Sequence, residues 1–192
     1  MLVCEFSCIS DWWQLRVKEH AMRLMNLTAS AALVAAGVIG GVDTAPSARA
    51  YDVSINGKYT ATWVGDWART NDVYHREATV RETWTITTSC VTAQDCTGQV
   101  VSDAGWSAPI NMHDGTTWFV SRDIPNWSTC PDGTSYTGHE RIHFYPADPE
   151  TGEKLAGSTV FAGREHTTGQ PGACGTNLPL YIDQPFRLDK IG

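Results

Sequence analysis

No stretch of this sequence repeats its apolar residues at the 3.6-residue spacing of a helix for any useful length, so little helix is expected. No apolar run is long and clean enough for a stable membrane span. The nearest candidate, Leu27 to Val42, is interrupted by Gly and Thr and closed by Asp43. Basic residues do not cluster along the chain, which carries a formal net charge of −7. An acidic chain of this kind is repelled by phosphate backbones and anionic lipid heads, which excludes nucleic acid as an expected partner. The serines lack a G-x-S-x-G elbow. Beyond residue 50, no cysteines have the close spacing of a zinc knuckle.

The beginning of the chain reads as an address. Arg23, the Leu27–Val42 stretch and the A-x-A site Ala48-Arg49-Ala50 make residues 22–50 a secretory signal peptide. No cysteine follows the apolar stretch to carry a lipid anchor. Residues 1–21 hold acidic residues and the pair Trp12-Trp13, so we read them as a start-site extension, with Met22 or Met25 as initiator. A long n-region of the signal peptide is the alternative. Residues 51–192 are then one exported β domain, located outside the cell or in its envelope. They hold 10 Lys+Arg and 17 Asp+Glu, so the whole net charge of −7 resides there.

Cys90, Cys96, Cys130 and Cys174 remain after cleavage. An even number in a small exported domain points to two disulfides. Three pairings are open, and Cys90–Cys96 with Cys130–Cys174 is preferred. Loop-closure entropy gives roughly 2.4 kcal/mol for the short loop and about 4 kcal/mol for the long one.

Alternating runs separated by turn signals cover the rest. "KYTATW", "ATVRETWTITTS", "TGQVVSD", "WSAPINM", "TTWFVSR", "TSYTGHERIHFY", "GSTVFAGREH" and "LYIDQPFRLDK" make about eight segments. The second puts Val80, Glu82, Trp84 and Ile86 on one face. Asp103-Ala104-Gly105 and His113-Asp114-Gly115 supply tight turns between runs. Residues 145–154 and 167–179 read as loops by composition, the first as a hairpin tip. The fold class expected is all-β: a single antiparallel meander β-barrel, lipocalin- or avidin-like, with a β-sandwich as the alternative. Among six tryptophans in this region, most should fill core, while Trp63, Trp84 and Trp118 could point inward and line a ligand cavity.

His139-Glu140-Arg141-Ile142-His143 matches the HExxH signature of zinc metallopeptidases. That chemistry needs a helix, which brings both imidazoles to one ion with the glutamate as base on the bound water. In a strand, four residues extend about 13 Å and the two rings cannot share a zinc. The local pattern favours a strand. Tyr136, Ile142 and Phe144 alternate with His139, Arg141 and His143, Gly138 precedes the motif and Pro146 follows. Glu140 falls on the apolar side, beside Arg164 or at a wet strand end. Pro146 and Pro149 occupy positions where an extended metzincin motif has Gly and His, and Glu165, a third-ligand candidate, lies in another strand-like run. His75 with Glu77 reads as a polar strand edge. Asn126-Trp127-Ser128 has the form of a glycosylation acceptor.

The segment Trp84-x5-Cys90-x5-Cys96-Thr97-Gly98, followed by Val100, "SDAGW" and "DIPNWSTCPDG", resembles small secreted proteins of mycobacteria and related actinobacteria. It is similar also to extracellular segments of some actinobacterial serine/threonine kinases. The resemblance spans most of residues 55–145. It implies a secreted β-rich domain with structural disulfides and brings no established activity and no functional residue. The expected function is therefore a secreted or envelope protein, non-enzymatic, that needs no cofactor and binds a small apolar ligand or an envelope partner. The alternative is a zinc metallopeptidase using His139 and His143 as ligands and Glu140 as base.

Overall fold

The computed structural model describes residues 53–192; the start-site extension and the signal peptide lie outside them. Ten strands follow in order: β1 (Gly57–Trp63), β2 (Arg69–Thr70), β3 (Val73–Tyr74), β4 (Val80–Thr92), β5 (Asp95–Ser102), β6 (Ser107–Met112), β7 (Trp118–Thr129), β8 (Ser135–Pro146), β9 (Val160–Gly169) and β10 (Tyr181–Lys190). Two single 3-10 turns, Gly65–Trp67 and Ala173–Gly175, are the helical content of these residues.

Eight of the strands form a closed antiparallel meander in the order β1-β4-β5-β6-β7-β8-β9-β10, with β10 pairing back to β1. The expected barrel is the fold, and the sandwich alternative is set aside by that closure. The eight sequence segments correspond to these eight strands. β2 and β3 were not anticipated, and β7 runs on through a bulge between Ile124 and Ser128, where Asn126 takes φ 53°. β9 also extends to Gly169, so residues 167–169, expected in a loop, are strand.

β10 forks. Its second half pairs with β1 (Phe186 opposite Trp63), while Ile182 and Asp183 pair with β2. Pro185 sits at the division. Its carbonyl accepts the Val64 amide at 2.9 Å, and since a strand residue's N–H and C=O point the same way, the donor that proline lacks falls in the gap between β1 and β2. The β2–β3 hairpin therefore extends β10 sideways, and β3 is the one open end of the strand order among the described residues.

A small barrel must bend its strands sharply. Gly98 and Gly163 allow this, because a Cβ at either would collide with the carbonyl oxygen of Thr87 or His143 on the neighbouring strand. Both disulfides pair as preferred. Cys90–Cys96 closes the tip of the β4–β5 hairpin, and Cys130–Cys174 ties the β7–β8 turn to the β9–β10 loop.

Inward side chains alternate along the strands of the ring, and their bulk fills the lumen. An unbroken aromatic column runs along it. Trp106 meets Trp84 at 5.4 Å between ring centroids, Trp84 meets Phe186 at 5.3 Å, and Phe186 meets Phe144 at 5.6 Å. Phe144 then meets Phe161 at 5.8 Å and Phe161 meets Tyr59 at 6.0 Å. Most of these pairs are edge-to-face, the arrangement the ring quadrupole favours. The interior is a packed core with recesses at its ends.

Candidate functional site: the two ends of the barrel

One end is polar. The inward positions of four strands place Glu82 (β4), Arg122 (β7), Glu140 (β8) and Glu165 (β9) around a recess of about 160 Å³. Glu140 is 3 % exposed and accepts hydrogen bonds from the Trp63 indole N–H at 3.1 Å and from Arg122 Nε. The Arg122 guanidinium lies over the Trp106 ring, 3.9 Å from its centroid. Glu82 Oε2 accepts from Ser102 Oγ at 2.7 Å, Trp106 Nε1 at 2.9 Å and Trp84 Nε1 at 3.3 Å. Glu165 accepts from Thr167 Oγ1 and from Gln184 Nε2 at 2.9 Å.

Burial raises the Glu140 carboxyl above its ordinary range, with the Arg122 charge and hydrogen bonds opposing. Burial likewise pushes Glu165 up to about 7, and the neighbouring Glu140 adds to the push against the Thr167 and Gln184 bonds. One guanidinium thus serves an interior holding three carboxylates, and proton uptake at Glu165 relieves the imbalance. Gln184 Oε1 is buried with no hydrogen-bond partner.

The opposite end is an apolar cleft of about 380 Å³. The segment before β1 supplies Val53 and Ile55, β1 supplies Tyr59, β7 Trp118, the β8–β9 connection Leu155, and β9 Phe161. Ile55 is held there by paired bonds with Thr88: its amide donates to Oγ1 and its carbonyl accepts from it, both at 3.0 Å. Lys154 and Lys190 also line the cleft. The Lys154 ammonium approaches Thr116 Oγ1 at 3.4 Å and faces the Tyr145 ring at 5.3 Å.

The three tryptophans named from the sequence all point inward, and they divide between these regions. Trp63 lines the polar recess, Trp118 lines the cleft, and Trp84 is sealed in the column between them, 5.5 Å from Trp63. Arg122, Glu82 and Gln184 were not singled out beforehand. A signal was present, since Glu82 and Glu140 both fall on apolar faces of their strands and Arg122 shares the parity of Trp118 and Val120.

The HExxH residues lie on an extended strand. His139 and His143 face outward, His139 Nδ1 lying 2.8 Å from Asp123 Oδ1 and His143 stacking on Phe119 at 6.4 Å. Glu140 faces the lumen. Its partners are Arg122 and Trp63, correcting the expected neighbour Arg164, which pairs instead with Asp183 on the outer surface. The helical geometry that would bring both rings and the carboxylate to one ion is not the geometry of this segment. Among the described residues, no three His, Cys, Asp or Glu are grouped to hold a metal ion.

No protein-family model matches this chain, and no curated protein does. Among solved structures it is similar to the monomer form of the M. tuberculosis PknI sensor domain, with a TM-score of 0.49 and 12% sequence identity over 72% of this chain and 88% of that one.

Proposed function

We propose that this chain is a non-enzymatic extracellular or envelope protein, released by cleavage after Ala50, whose barrel binds a small apolar molecule with an acidic end. The cleft carries this reading. At about 380 Å³ it falls at the lower end of the range of roughly 300–1,000 Å³ typical of small-molecule sites, and aromatic and aliphatic side chains dominate its walls. Lys154 and Lys190 would meet the acidic end while the body lies against Trp118 and Phe161. Two disulfides suit an oxidising compartment. No helix of the described residues is long and apolar enough to cross a membrane.

Trp118 serves as the reporter. Titration with dodecanoate should change tryptophan emission saturably, and dodecanol should bind less tightly for want of the lysine contacts. Ala156→Phe, which narrows the cleft from an exposed position, should weaken both. Emission that stays flat with both probes overturns the reading.

A further inference from the structure

The outer wall of the barrel has a charge pattern that the chain's overall acidity hides. Alternation on β8 and β9 turns Arg141, His143, Arg164 and His166 outward, and β2 adds Arg69 beside them. Register packs them together: Arg141 lies opposite His166, His143 opposite Arg164, and Asp183 between His166 on one side and Arg69 on the other. Cross-strand partners of this kind stand about 5 Å apart. Arg164 is ion-paired with Asp183, but among the described residues no carboxylate reaches ion-pair distance of Arg69 or Arg141.

The surface there is concave. A recess of about 370 Å³ is lined by Arg69, Asp72, Arg164, His166, Tyr181 and Asp183. Tyr181 and His166 stack at 5.0 Å with 35° between their planes, and the neighbouring Asp72 raises the Tyr181 phenol above its ordinary value. His166 Nδ1 stands 3.8 Å from Asp183 Oδ2.

We propose that this recess, with Arg141 at its margin, is a docking site for an acidic polysaccharide and holds one uronic-acid-type sugar residue. Arginine forks match a carboxylate in two-point geometry. The two aspartates accept from sugar hydroxyls, a role for which a simple anion site has no use. The Tyr181–His166 pair offers a flat face to the sugar's C–H groups. A membrane is the poorer occupant. A lipid surface would act on the whole chain, whose net charge of −7 opposes it, and the recess presents no projecting aliphatic side chain for insertion.

The histidines provide a readout. Burial and the facing arginines (Arg164 for His143, Arg141 for His166) hold both rings below their ordinary range, with Asp72 opposing at His166. A bound carboxylate opposite those arginines would raise both.

The test is an NMR titration of the protein with a galacturonic acid hexamer, with maltohexaose as the neutral sugar and phosphatidylglycerol vesicles as the lipid arm. We expect the acidic hexamer to bind, shift His166 and His143 titration upward, and weaken with added salt. Arg69→Ser, a residue without an ion pair, combined with Arg141→Ser should cut affinity at least tenfold. Arg187→Ser, whose guanidinium is already held by Asp189 outside the recess, should leave it unchanged. Equal binding of maltohexaose, undiminished binding by the double variant, or vesicle binding without hexamer binding would each overturn the proposal.

Discussion

At the scale of single residues, the interior charges decide how the barrel responds to its surroundings. The Glu165 carboxyl titrates near 7 when folded and near its ordinary value of 4.5 when unfolded. Between these values the folded chain keeps a proton that the unfolded chain has released, so stability falls as pH rises across that window. The contribution is fully present below pH 4.5 and is lost through pH 7, an effect of roughly 3 kcal/mol. Urea unfolding followed from pH 4.5 to 8 should show this fall, and Glu165→Gln should flatten it. Arg122→Met tests the counter-charge. Removing the guanidinium leaves Glu140 buried with the Trp63 indole N–H as its remaining donor, and a loss of about 3–5 kcal/mol at neutral pH is expected in the same assay.

At the scale of elements, β8 shows what a motif means once its backbone is known. All three specified letters of HExxH fit, yet period-2 alternation sends the histidines to the outer wall and the glutamate into the lumen. His139→Ala and His143→Ala should each change stability by less than about 0.5 kcal/mol, since both rings stand on the outer surface. Phe144→Ala at the very next position, in the middle of the aromatic column, should cost about 3–5 kcal/mol. The contrast between neighbouring positions is the check on the strand's facing.

How much of this was legible follows from the same alternation. Parity along each run identifies the inward residues, which is why eight strands, the inward tryptophans and the extended 139–143 segment could be anticipated. Register across strands is a tertiary quantity, and parity does not contain it. The partner of Glu140 is Arg122 because β7 and β8 pair Arg122 opposite it, a fact absent from either run taken alone. The grouping of the outer arginines escaped notice for the same reason. Arg69, Arg141 and Arg164 are far apart in sequence, so no basic cluster is visible until β2, β10, β9 and β8 align. The β2–β3 hairpin was missed because two-residue strands carry no measurable alternation.

At the scale of the whole molecule, covalent and aromatic ties share the work. Cys90–Cys96 spans six positions within a hairpin that already pairs, whereas Cys130–Cys174 spans 44 and joins two connections at the polar end. Replacing the second pair by serines should lower stability by up to about 4 kcal/mol, and the first by no more than about 2.4 kcal/mol, measured as unfolding midpoints side by side.

The short β3 has a consequence for crowded conditions. Among the described residues β3 ends the strand order, so a second molecule that adds a strand there meets Val73 and Tyr74, two residues beside an Asn71–Asp72 turn with positive φ. Too few unpaired amides stand there to seed a growing filament. That end of the sheet therefore gives a crowded solution little purchase for strand-by-strand growth.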